Sequence, residues 1–222
     1  MLANIVPYLP LIVAFLLAIT CHEYSHGRMA YYWGDDTAYR SGRLTMNPLA
    51  HLDLYGTLFF VLSGMRFGWA KPVPVNFGRL RDLRQGMFMV ALAGPLANFV
   101  LAVVSLLTLK GLVYYVNAVQ EMEWFLPTYH FLIDLSQTSI FLNLSLGIFN
   151  LLPLPVLDGS KILYSLLPRR ISFFILRNER FGFLLLLVMI LPVFGGESLI
   201  GRYLMPILGP LIYGIYNKLM SY

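Results

Sequence analysis

LIVAFLLAITCHEYSHGRMAYY, residues 11–32, decides the fold. Its first ten residues carry no charge, and the apolar run begins earlier, near Ile5. About 20 mainly apolar residues suffice to cross a bilayer as a helix. No lysine or arginine precedes the run and no small-residue cleavage pattern follows it, so it reads as a retained helix over about 5–32 and not as a signal peptide. Inside it lies CHEYSH, residues 21–26. A carboxylate near the middle of a membrane helix costs about 2.5–3.5 kcal/mol on insertion scales. Glu23 has no basic residue one turn away, since those positions hold Ile19, Thr20, His26 and Gly27. A metal ion is the simplest compensation. His22 and His26 are four apart and share one helix face. Two imidazoles so placed can grip one zinc ion at about 2.0–2.1 Å each. Glu23 between them completes H-E-x-x-H, in which the glutamate is the general base toward the metal's water.

The rest of the chain has the same character. Its 222 residues are 58% hydrophobic and 12% charged, about half the charge of an average soluble domain. A soluble monomer of this composition would expose large apolar patches, and disorder requires the opposite balance. The one cysteine, Cys21, rules out an intrachain disulfide scaffold. The net charge of +5 sits in blocks between apolar runs, which is the membrane pattern and not that of a nucleic-acid binder. Further apolar runs cover about 86–116, 131–167 and 181–196, with a weaker one at 199–216 broken by Pro206, Gly209 and Pro210. The expected fold is therefore an all-α polytopic membrane protein, a single membrane-embedded domain over 1–222. It would have four to five transmembrane helices and a small cytoplasmic or interfacial β segment between the first two.

That segment, 34–84, holds seven of the 16 basic residues. Its Val73 and Val75 alternate with Pro72 and Pro74, as in an edge strand or short hairpin. From Gly111 to Ser160 there is no lysine or arginine, whereas 34–84 and 161–180 are basic. The positive-inside rule then puts the two basic loops in the cytoplasm and the N-terminus outside. Trp33, Trp69 and Trp124 near the span ends fit an interfacial belt.

A second polar stretch interrupts the third run: NLLPLPVLDG, residues 150–159. A catalytic zinc usually takes three protein ligands and leaves one position for water. His130 would lie near the outer face, so Asp158 is the better third ligand. At about 1.5 Å per residue, His22 lies about 25 Å from the outer surface and Asp158 falls at a matching depth. Alternatives remain at this level: an ion site in a transporter or metal carrier, an inactive homologue, or another HExxH membrane protease using Glu179 or Glu197. Cys21 points about 100° away from His22 around the helix and reads as packing. His51 beside Asp53 reads as structural.

HEYSH and NLLPLPVLDG together resemble the site-2 protease family of intramembrane zinc metalloproteases (peptidase family M50), whose pattern is HExxH on one span and NxxPxPxLDG on a later one. Asn150, Pro153, Pro155, Leu157, Asp158 and Gly159 fill the specified positions. NPLAHLD (47–53), GWAKPVPVN (68–76) and AGPLANF (93–99) are similar to segments of the short bacterial and archaeal members. The resemblance implies one Zn(2+) per chain on His22, His26 and Asp158, with Glu23 as general base and later proton donor to the leaving amine. It also implies a transmembrane protein as substrate, cut within or near the bilayer of a prokaryotic cell membrane. The 117–130 loop is too short for a PDZ domain, and no room follows for a CBS domain, which points to the compact core-only type. Regulation then falls to a separate membrane partner or to prior trimming of the substrate. Asn98 and Asn150 are candidate contacts for the substrate backbone or the oxyanion, each with a structural alternative: helix–helix glue for Asn98, and carbonyls freed by the prolines for Asn150. Strand addition on 68–76 is the expected way to hold an extended substrate.

Overall fold

The computed structural model describes residues 6–62, 69–116, 122–168 and 198–220, together with positions 119, 171, 184, 188, 189 and 191. Among the described residues, six helices have eight or more residues: α1 (Leu9–Tyr32), α2 (Leu54–Leu62), α3 (Leu83–Tyr114), α4 (Leu126–Asn150), α5 (Asp158–Leu166) and α6 (Met205–Met220). Their starts follow local chemistry. Prolines stand in the first turns of α1 and α4, where a missing N–H costs nothing. Asp82 caps α3 by accepting from the Gln85 N–H at 2.7 Å.

Among the described residues three helical segments are long and apolar enough to cross a membrane: Val6–Tyr32, Leu83–Tyr114 and Leu126–Asn150. They correspond to the first three expected runs, the third of which is long enough for a broken span and is broken. The run expected over 131–167 is two helices, because α4 ends at Asn150 and α5 begins at Asp158. Pro153 and Pro155 cannot donate to the helix ladder, so the chain breaks between them. Within that break Val156 has φ 77°, a left-handed conformation that strains a β-branched residue. The run at 181–196 lies almost wholly outside the described residues. At 199–216 the chain makes one wide turn over Ile200–Leu204 and then α6, whose 16 residues rise about 24 Å against a hydrocarbon core of about 30 Å. Of the expected β segment, the described residues hold one isolated antiparallel bridge, Leu52 with Ala70.

Helices α1, α3 and α4 pack on one another, and α5 packs on α3. Lipid offers no hydrophobic drive between helices, so close approach depends on small residues. Ala14 and Ala18 of α1, Ala91, Gly94 and Ala102 of α3, and Ser136, Ser139 and Gly147 of α4 are all buried. Ala102, Leu109, Ile140 and Leu144 form an apolar core, against which α6 places Ile215, Tyr216 and Leu219. Val100, Val103, Val104 and Leu107 on the outer face of α3 remain exposed, as lipid-facing positions should. Arg84 at the start of α3 donates to the carbonyls of Ser165, Leu166 and Leu167 at 3.1, 3.1 and 2.8 Å, closing the C-terminal end of α5.

Candidate metal centre

HEYSH falls on the continuous helix α1, so the two imidazoles leave one face toward α3 and α5. Asp158 comes from the first turn of α5, two residues after the strained Val156. Gly159 permits that delivery. A Cβ there would stand 2.2 Å from the Leu151 carbonyl oxygen and 2.3 Å from that of Leu152. Gly94 does the same for α3, since its Cβ would stand 2.3 Å from His26 Nε2.

The three predicted ligands meet. His22 Nε2 lies 3.0 Å from His26 Nε2. Asp158 Oδ2 lies 3.1 Å from the first and 3.2 Å from the second. His26 and Asp158 are buried and His22 is half-buried. Each imidazole is turned by a partner on its other nitrogen. His26 donates Nδ1–H to the Val90 carbonyl at 2.7 Å. His22 donates Nδ1–H to Asn98 Oδ1 at 2.6 Å. Both Nε2 atoms therefore present lone pairs, and so does the carboxylate oxygen. Asp158 Oδ2 is buried and accepts no hydrogen bond from any of the described residues. Three lone-pair atoms in mutual contact repel unless a cation sits among them. A proton can serve only one nitrogen–oxygen pair, whereas a divalent ion serves all three. The edges of 3.0–3.2 Å also come close to the about 3.3 Å separating ligands of a tetrahedral zinc with bonds of 2.0–2.1 Å. The donor set fits zinc, and among the described residues neither His51 nor His130 joins it.

Glu23 stands outside this triangle. Its Oε2 accepts from the Val73 N–H at 2.7 Å. Val73 belongs to an extended strap, Lys71–Asn76, laid along α1. Arg43 holds the Lys71 carbonyl at 2.8 Å, and the Lys71 N–H donates to the His51 carbonyl at 2.9 Å. At the other end the Asn76 N–H donates to Asp35 at 2.6 Å. Asp35 is fully buried and also accepts from the Thr37 N–H and hydroxyl. Pro72 and Pro74 have no N–H to offer, and the Val75 N–H has no partner among the described residues. His51 is fully buried and donates Nε2–H to the Thr45 carbonyl at 2.8 Å, a structural role. Cys21 lines a groove of about 1010 Å³ between α1 and α3, which contains none of the three donors.

The two candidate asparagines part company. Asn150 is half-buried and donates to the Leu146 carbonyl of its own helix at 3.1 Å, and its Oδ1 has no partner among the described residues. Asn98 is fully buried with both ends of its amide engaged. Asn143, not singled out from the sequence, is its partner at 2.8 Å. An uncharged amide within the apolar stretch IFLNLSLG was the available signal, the same kind that marked Asn98.

The family model of peptidase family M50 matches residues 10–191. The protein named "Putative zinc metalloprotease YwhC" of Bacillus subtilis is 37% identical over 196 residues, 88% of this chain and 85% of that one. "Putative zinc metalloprotease Rip2" of Mycolicibacterium smegmatis is 30% identical over 190 residues, 83% of this chain and 67% of its own length. No solved structure matches the chain.

Proposed function

This chain belongs to peptidase family M50, the zinc metalloproteases of membranes, and from that premise we propose that it hydrolyses a peptide bond within or near a transmembrane segment of another membrane protein. His22, His26 and Asp158 hold one zinc ion, and Glu23 is the general base. The observation that carries the assignment is the convergence of two Nε2 lone pairs and an orphaned carboxylate oxygen at 3.0–3.2 Å. The single domain over 1–222 has four to five spans, an extracytoplasmic N-terminus and a cytoplasmic 34–84 segment in a cell membrane.

Zinc, when bound, lowers the pKa of water to about 7 and polarises a carbonyl oxygen. The chain's own groups do the rest. Glu23 takes a proton from the attacking water and passes it to the departing amine. The Val73 N–H fixes the rotamer of the Glu23 side chain before substrate arrives. The buried walls of α1, α3 and α5 keep bulk water from the reacting atoms, which strengthens these charges. A helical substrate must first unwind, because its carbonyls are engaged along its own axis. The strap offers the unpartnered Val75 N–H and adjacent carbonyls to such an extended segment. Asn150 Oδ1 and the second N–H of its amide, without partners among the described residues, are further polar groups for substrate contact.

The test uses purified protein in detergent and a single-span candidate substrate, with and without a chelator. Wild type cleaves, chelation stops it, and Glu23→Gln and Asp158→Asn are inactive. Cleavage that survives chelation and both substitutions overturns the reading.

A further inference from the structure

Two fully buried asparagines lie deep among three membrane helices, and both are held in one orientation. The orientation can be read from atoms that can only accept. Asn143 Nδ2 points at the Ser139 carbonyl at 2.9 Å and the Ser139 hydroxyl at 3.2 Å. Its Oδ1 must then face the other way, toward Asn98 Nδ2 at 2.8 Å. Asn98 Nδ2 also reaches the Ala18 carbonyl at 3.4 Å. That leaves Asn98 Oδ1 against His22 Nδ1 at 2.6 Å, and an amide oxygen there accepts only from Nδ1–H. The Ser139 hydroxyl is itself held by Ser105 at 2.8 Å. A directed chain of hydrogen bonds thus runs from the backbone of α4, through α3, into the imidazole of α1.

We propose that Asn98 and Asn143 act as a pair of positioning residues: together they lock His22 in the Nδ1–H tautomer and aim its Nε2 lone pair at the metal. Asn98 is the direct partner, and Asn143 sets which end of the Asn98 amide faces His22. This inference rests on the zinc reading of the site. A ligand imidazole gains basicity and a fixed plane from such a partner, and losing the partner typically costs 10–100-fold in metal affinity. The bland alternative is that the two amides only glue α3 to α4.

The variants separate the two accounts. Asn98→Leu removes the acceptor with little change of volume. Asn98→Asp keeps an acceptor for Nδ1–H and abolishes the amide donor that joins α3 to α4. Asn143→Leu frees Asn98 Nδ2 from one of its two acceptors, and Asn143→Asp restores that acceptor. Zinc affinity is measured on full-length protein in detergent by competition with a chromophoric chelator. The Co(II)-substituted spectrum reports ligand geometry, and ¹⁵N resonances of labelled histidine in the metal-free protein report the tautomer. Wild type and His22→Ala are run alongside, with thermal unfolding of each metal-free variant.

The expected result is an affinity about 10–100-fold lower for Asn98→Leu, a smaller loss for Asn143→Leu, and recovery to near wild type in both aspartate variants. The His22 tautomer is mixed in the leucine variants and uniform in wild type. Affinity in Asn98→Leu equal to wild type, or a loss in Asn98→Asp as large as in Asn98→Leu, overturns the proposal. Should Asn98→Leu fail to fold, the Asn143→Leu and Asn143→Asp pair decides by the same measurements. A wild type that binds no zinc, or a His22→Ala that binds it normally, refutes the zinc reading instead.

Discussion

Gly94→Ala is the smallest change that should empty the metal centre. The new methyl carbon would lie 2.3 Å from His26 Nε2, 2.6 Å from His26 Cε1 and 2.7 Å from His22 Cε1, where ordinary contact begins at 3.4 Å. His26 Nε2 must therefore retreat by 1.1 Å (3.4 − 2.3). Metal–ligand distances tolerate only about ±0.2 Å. The imidazole cannot swing aside without breaking its 2.7 Å bond to the Val90 carbonyl, and α1 cannot back away without separating from α3. Loss of an outer partner alone costs about 10–100-fold in affinity, so displacing a ligand should exceed 100-fold, about 2.8 kcal/mol. Alanine is also the better helix former by about 1 kcal/mol, so the metal-free variant should unfold near the wild-type temperature. The assay is chelator competition, with thermal unfolding of both metal-free proteins. A Gly94→Ala protein that holds zinc within about threefold of wild type, where each tenfold is about 1.4 kcal/mol, refutes the assigned packing of α3 against HEYSH.

Four further outcomes are expected. Glu23→Gln keeps an oxygen to accept from the Val73 N–H, so zinc stoichiometry stays at wild type while turnover falls by about 10²–10⁴, the usual contribution of a general base; equal turnover would remove Glu23 from the chemistry. Val156→Gly releases about 1–3 kcal/mol of left-handed strain against a backbone entropy cost of about 1 kcal/mol, so thermal stability holds or rises while zinc affinity drops as Asp158 gains freedom. A variant both less stable and unaltered in zinc binding contradicts this. Arg84→Ala loses three carbonyl contacts at the end of α5 and should cost about 1–3 kcal/mol in chemical denaturation, with Arg84→Lys recovering only part because an ammonium lacks the fork. At the surface, hydrogen bonding and charge from Arg40, with Arg79 nearby, hold the Asp36 carboxyl below its ordinary range. A depressed carboxylate stabilises the fold above that range and loses its contribution as pH falls through it. Asp36→Asn should therefore lower the melting temperature slightly at neutral pH and low salt, and the difference should fade in acid or high salt.

The part of this molecule that could be read without coordinates is the part dictated by cost. Glu23 and Asp158 are conspicuous because a lone carboxylate in lipid demands an explanation, and the four-residue interval of His22 and His26 supplied it. The depth argument then paired spans that lie far apart in the chain. What escaped was whatever depends on rotation about helix axes or on irregular backbone. Asn98 is visible as a polar residue in a span, but whether it meets substrate or a neighbouring helix depends on the rotation of α3. Asn143 carries the same signal, but an uncharged amide stands out less than a charge does. The break at 151–157 was foreshadowed by Pro153 and Pro155, yet the left-handed Val156 had no signature because valine is among the last residues expected there. The strap's attachment to Glu23 through a backbone N–H was unreadable in principle, because main-chain donors are the same at every non-proline position.

Burial of the Asn98 and Asn143 side chains also bears on biogenesis. While α1, α3 and α4 are separate in the bilayer, those amides have no water to turn to, and each unmet polar group in hydrocarbon costs several kcal/mol. Only side-by-side assembly of all three helices relieves them at once, since the acceptors come from Ala18, Ser139 and Asn143 itself. An orphan fragment ending after α3 would therefore carry an unmet polar group on an apolar span. Such a blemish distinguishes unfinished chains from finished ones, and it gives membrane quality control something chemical to recognise.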